Sequence, residues 1–250
     1  ELIKSKKESI KISSNNLDMV KKYILLSSFL VSFFGYSQIT ETYTYGLKLG
    51  GLQSSISNLP EMLSGRDNSA SNYKLQSDKV IGVEGGFFLN YKLPDTRVAI
   101  QTELLYRKAG DRVSFSNDLG DTYLLTFNYS YLTFGALYKI YPLAGLNIGA
   151  GAFYSKNLGP GSIEYESNQF DGRYDIVNRQ FYRDALKGSD DFSLAFNVGY
   201  EIEPGFHIDL RYYLGISDAI SNKKPDFTFI ENKNTTSILS ISVGYSIHEW

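Results

Sequence analysis

The 250-residue chain contains no cysteine. That absence excludes disulfides, thiolate metal sites, a cysteine nucleophile and a lipid-modified N-terminal cysteine. Histidine is nearly as scarce, with only His207 and His248, and there is a single Trp. Charge of neither sign dominates. Lys and Arg number 25 against 27 Asp and Glu, a net −2, so no basic field points to nucleic acid. No metal-ligand spacing, phosphate-cradling glycine loop or cofactor motif is present, and no cofactor is expected. Long apolar runs are also missing. The longest useful one, Tyr23 to Phe34, falls short of the roughly 20 residues of a membrane-spanning helix.

That short run has a different meaning. MVKKYILLSSFLVSFFGYSQ (19–38) places Lys21 and Lys22 after Met19, then the apolar stretch, then small residues Gly35 and Ser37. The order is that of a secretory signal peptide spanning 19–37 and cleaved near Ser37/Gln38. Residues 1–18 are expected to be an upstream extension without function. Residues 38–250 are expected to form the exported domain.

What the chain has in plenty is Tyr (20), Phe (16) and Gly (22), arranged with a period of two. DFSLAFNVGYEIEPGFHIDLRYYLGIS (191–217) sets Phe192, Leu194, Phe196, Val198, Tyr200 and Ile202 on one face. After Glu203-Pro204-Gly205, Phe206 through Ile216 repeat the pattern. This is a strand pair joined by a tight turn. The same alternation appears in 42–52, 81–91, 98–107, 132–140, 146–155 and 238–250, which makes eight strands. The opposite face carries Gly46, Gly50, Gly82, Gly86, Gly149, Gly151 and Gly199 with Ser and Asn. Such a face suits a crowded interior, and the apolar face then meets lipid.

Connection lengths agree. Short links at 94–96, 142–145 and 203–205 each hold a proline, and they alternate with long polar stretches near 53–78, 109–121, 157–190 and 218–235. Outer-membrane barrels sort their turns this way, short on the periplasmic side and long outside. The expected fold is therefore an all-β, eight-stranded, antiparallel up-and-down transmembrane barrel, a monomer, closed so that no strand edge meets lipid. Tyr45, Tyr91, Tyr141, Tyr200, Phe206 and Trp250 fall near the periplasmic ends, and Tyr106, Tyr154 and Phe192 near the external ends, as two interfacial girdles.

QTELLYRKAG (101–110), YLTFGALYKIYP (131–142), LNIGAGAFYS (146–155) and 192–218 resemble the PorT-like outer-membrane β-barrel family. Thr133 and Gly135 stand where that family often has an acidic residue and a proline. The resemblance implies outer-membrane location and assembly by the barrel assembly machinery. It also implies an accessory role in a secretion and gliding machine as one alternative.

Inward-facing charges form the first candidate cluster: Lys48, Glu84, Glu103, Arg107, Lys139, Glu201, Asp209 and Arg211. In a lumen that eight strands make just wide enough for side chains, they are expected to pair and plug it. The second candidate is in loop 157–190, where Arg173, Tyr174, Arg179, Phe181, Tyr182 and Arg183 are residue types enriched at binding hot spots. A short helix over Ile176–Lys187, with Ile176, Val177 and Phe181 on one face, is expected there. His207 and His248 fall at the periplasmic rim, away from the end where a lipid-acting enzyme would work. Glu164/Glu166 and Asp190/Asp191 read as solvated loop carboxylates. The leading expectation is a non-enzymatic barrel whose loops engage an external or envelope partner.

Overall fold

The computed structural model describes residues 43–60, 74–116, 118, 120–159, 162–168, 172–202, 205–223 and 233–247. The expected extension 1–18 and signal peptide 19–37, with Pro204, His248 and Trp250, lie outside them. Alternating sequence becomes strand throughout. The ring consists of β1 (Tyr43–Ile56), β2 (Lys74–Lys92), β3 (Val98–Ser116), β4 (Thr122–Ile140), β5 (Leu146–Asn157), β8 (Asp191–Ile202), β9 (Phe206–Gly215) and β11 (Thr236–Ile247). Each pairs antiparallel with its ring neighbours, and β3 with β4 and β1 with β11 complete the circle.

Register fixes the geometry of closure. From Tyr45 the paired residues run through Leu89, Thr102, Ala136, Ala152, Leu194, Leu214 and Ser237, and return to β1 at Ser55. Tyr45 and Ser55 are ten residues apart along that strand. This stagger tilts eight strands by about 40° and leaves an interior that side chains fill. Two of the short turns place Gly145 (φ 74°) and Gly205 (φ 99°) in the left-handed region, and Asp95 (φ 57°) does so in the third.

The outward face is apolar and exposed. Phe87, Leu104, Phe134, Phe196 (53 % exposed), Leu210 and Ile241 (60 %) form a continuous band, far larger than a water-facing surface carries. No helix among the described residues is long and apolar enough to cross a membrane. Spanning is done by strands, whose backbone groups are satisfied around the closed ring.

Three differences from the sequence reading concern the external end. Stretch 109–121 is not a long loop. Strands β3 and β4 stay paired up to Ser116↔Thr122, and β2 follows β3 to Lys74↔Ser116, so these three strands rise well above the other ring strands. Residues 53–56 and 74–78 are strand as well. Segment 157–190 holds β6 (Ser162–Ser167), helix α1 (Gly172–Ala185) and β7 (Leu186–Gly188). Strand β6 pairs with the upper half of β4, and β7 pairs with β10 (Ile220–Asn222) from the next external connection.

Candidate functional site

The lumen is built from every second residue of the ring, and small residues make room for large ones. A side chain at Gly199 would strike Asp209, and one at Gly244 would strike His207. Seven of the eight anticipated charges are 0–3 % exposed: Lys48, Glu84, Glu103, Arg107, Lys139, Asp209 and Arg211. At the centre, Arg211 donates to Glu103 through Nη1 (2.5 Å) and Nη2 (2.8 Å), a two-pronged pairing across the lumen. Lys48 Nζ donates to Asp209 at 2.8 Å and to Glu103 at 3.5 Å. Lys139 lies 3.9 Å from the same aspartate.

Uncharged side chains complete the network. Asn197 donates to Asp209 (3.0 Å) and Asn147 (3.2 Å) and accepts from Arg211 Nε (2.9 Å). Gln101 donates to Glu103. One level up, Arg107 Nε donates to Glu84 at 3.2 Å, and Ser240 donates to the other Glu84 oxygen. The Arg107 guanidinium lies over the Tyr213 ring at 3.9 Å. Four cations thus face three carboxylates in two groups, Lys48, Lys139 and Arg211 with Glu103 and Asp209, and Arg107 with Glu84.

Glu201 stands apart from this cluster. It is half-exposed at the periplasmic rim, where it accepts from Lys92 (3.0 Å) and Tyr141 Oη (2.6 Å). His207 is not a polar rim residue. It is buried, packs edge-on against Phe88 (4.8 Å between rings) and has Nε2 3.7 Å from Asp209. Phe88 falls out of the outward series of its strand and was not anticipated inside.

Above the charges the lumen turns apolar. Leu52, Leu125, Phe127, Tyr129, Tyr131, Phe153, Tyr213 and Ile238 form one buried cluster with Ile163 of β6 and Ala185, Leu186 and Ile220 beyond the ring. Phe181 and Tyr182 of α1 pack against it. The helix begins earlier than expected, at Gly172. Ile176 and Val177 are 63 % and 65 % exposed, whereas Phe181 turns toward the barrel, so the three do not share a face.

Arg179 and Arg183 both pair with Glu164, at 3.1 and 2.8 Å, which ties α1 to β6. Glu164 is therefore not a free loop carboxylate. Arg183 also donates to the Ile163 carbonyl (2.8 Å). Arg173 lies in the first turn of α1, and the side chain of Tyr174 lies outside the described residues. Asp190 accepts from Tyr154 Oη (2.6 Å), Lys156 Nζ (2.9 Å) and the Asn157 amide (3.0 Å), which pull its carboxyl down to about 2. Asp191 is buried, accepting from Thr236 (2.9 Å), rather than solvated. Asp111, likewise buried, accepts from the Ile56 amide at 3.0 Å and from Ser77 at 2.9 Å.

A closed antiparallel ring of eight strands, apolar outside and plugged inside, defines an integral membrane β-barrel. Residues 36–221 match the family described as outer membrane protein beta-barrel domain, and the chain belongs to it. Its location is the outer membrane. No relative is found among curated protein sequences. Among solved structures it is similar to Neisserial surface protein A (12 % identity, 83 % of this chain and 98 % of that one, TM-score 0.39). The outer membrane protein OprG from Pseudomonas aeruginosa is similar at 14 % identity (84 % and 98 %, TM-score 0.43). The outer membrane protease OmpT from Escherichia coli is similar at 12 % identity (82 % and 96 %, TM-score 0.31).

Proposed function

We propose that this protein is a non-enzymatic, non-conducting barrel whose role is carried by its external structure, which engages a partner in the envelope or outside the cell. The observation that supports this reading most directly is the filling of the lumen. The network of Lys48, Glu103, Asp209 and Arg211 occupies its lower half, the aromatic cluster under α1 occupies most of its upper half, and the Arg107–Glu84 pair lies between them. A lumen filled twice serves as a scaffold, and what it holds up is the tall wall of β2, β3 and β4 and the α1 cap. Long ordered connections on a rigid base are a common place for binding. Against a lipid-acting enzyme stands His207, which is buried at the opposite end from α1.

The exposed pair Ile176 and Val177 gives a test that spares the fold. With Ile176→Asp and Val177→Asp together, the barrel should still assemble but lose the envelope partner recovered by cross-linking the unaltered protein. Undiminished recovery would move the partner site away from α1. The finer placement, a PorT-like accessory of a secretion machine assembled by the barrel assembly machinery, rests on the motifs at 101–110, 131–142, 146–155 and 192–218. Recovery of secretion components in that experiment would support it. The proposed cleavage near Ser37/Gln38 is read directly by N-terminal sequencing of the membrane-inserted protein.

A further inference from the structure

The lipid-facing band ends differently on the two sides of the barrel. Strand β3 presents Ile100, Thr102, Leu104 and Tyr106 outward, and its next outward residue is Lys108, with Arg112 beyond it. On β2, exposed Val83 and Ile81 give way to exposed Lys79. On β5, Tyr154 is followed by Lys156. Each tilted strand rises about 2.5 Å per residue along the barrel axis, so an apolar band of about 25 Å takes up roughly ten residues. Correcting for the ten-residue stagger, Lys79, Lys108 and Lys156 stand within about 5 Å of one level, immediately above that band, and Arg112, four residues past Lys108 on β3, is about 10 Å higher than Lys108. At the same level β8 carries Phe192 and Asp190, β9 Ile216, β11 Ser237 and β1 Gln53. The cations are confined to one flank.

Lys156 is already engaged by Asp190 at 2.9 Å. The other three have no ion-pair partner among the described residues. Asp78 stands opposite Arg112 in register, yet its carboxylate accepts from Gln76 (3.1 Å) instead. This leaves three free cations on adjacent strands, continuous with a surface that lipid already covers, at the depth of the outer-leaflet headgroups. We infer that Lys79, Lys108 and Arg112 form a docking site for the phosphate groups of an outer-leaflet glycolipid. Its acyl chains would lie on Val83, Ile81, Leu104 and Tyr106 below. Both halves of the contact are then matched, charge above and apolar area beneath.

The test uses the full chain folded in detergent, with native mass spectrometry to count bound lipid. Phosphorylated lipid A is the probe, and its dephosphorylated form, phosphatidylglycerol and inorganic phosphate are the comparisons. The triple variant Lys79→Ser, Lys108→Ser, Arg112→Ser should bind phosphorylated lipid A roughly a hundredfold more weakly, because each cation near an anionic headgroup contributes about fivefold. Arg97→Ser, at the periplasmic end, should bind like the unaltered protein. Should the triple variant fail to fold, Lys108→Ser alone should show about a fivefold loss. Equal binding by the folded variants and the unaltered protein would overturn the inference. So would equal binding of dephosphorylated lipid A or phosphatidylglycerol, or full displacement by inorganic phosphate. None of these outcomes bears on the partner proposed for α1, which is probed by different residues.

Discussion

Arg211 reaches Glu103 across the lumen with two nitrogens and Asn197 with a third, so it holds the network together from the middle. Its removal by Arg211→Leu leaves Glu103 buried with only Lys48, at 3.5 Å, and Gln101. An uncompensated buried charge costs about 3–5 kcal/mol. Replacing both partners, Arg211→Met with Glu103→Met, removes the unpaired charge as well as the pair. It should therefore cost less than the two single changes added together. Urea unfolding of the refolded barrel in lipid vesicles measures all three. If Arg211→Leu proves neutral, water reaches this layer and the lumen is not dry.

The opposite face obeys a different rule. Allowing for the stagger, Phe196 lies near mid-membrane with Leu104, Leu210 and Ile241, all exposed to lipid. Phe196→Arg should cost about 2–4 kcal/mol in the same assay, the depth-dependent penalty of a midplane arginine. Equal tolerance of arginine at Phe196 and at Gln53, which lies near the headgroups, would contradict the placement of the membrane.

Among the elements, those with uninterrupted alternation were legible from the chain, and those where a strand leaves the membrane were not. In 191–216 each lipid-facing residue alternates with a lumenal one, and β8 and β9 follow it closely. Strand β3 breaks the rule above Lys108, where Ala109, Gly110 and Asp111 are all buried in succession. Its polar stretch thus resembled a loop, although β4 pairs with it throughout. Strand β6 was missed for another reason. Its partner is the upper half of β4, about forty residues earlier, a pairing that local pattern does not encode. The lumenal charges were legible because they occupy the inward register. The aromatic cap was not, because Phe153 and Tyr213 interrupt the polar face singly, and only the fold assembles them with Phe127, Tyr129 and Tyr131. The depth of α1 followed the same limit. The ring itself does not depend on that helix, since β5 and β8 pair directly up to Ser155↔Asp191. Deletion of 160–186 should therefore leave a barrel that still migrates faster unheated than boiled on a gel. Hydrogen exchange should rise at Tyr123–Asn128, which loses β6, and stay low at Leu132–Ile140. Loss of membrane insertion would show that α1 and β6 belong to the folding unit.

For the whole molecule, the two fillings lie at different depths and are held by different forces. The upper one is apolar and hangs partly on α1, whereas the lower one is ionic and comes entirely from ring strands. Removing the first leaves the second intact, with Lys48, Asp209, Glu103 and Arg211 joined below the cap. In planar bilayers the unaltered protein should therefore show no steady channels, and neither should the 160–186 deletion. Current is expected only when that deletion is combined with Arg211→Ala and Glu103→Ala, which together uncover the upper layer and open the lower one. Stable open channels from the unaltered protein would defeat the non-conducting reading outright. Channels from the loop deletion alone would show that the ionic layer yields to water once the cap is gone, and that α1 is the gate rather than a cover.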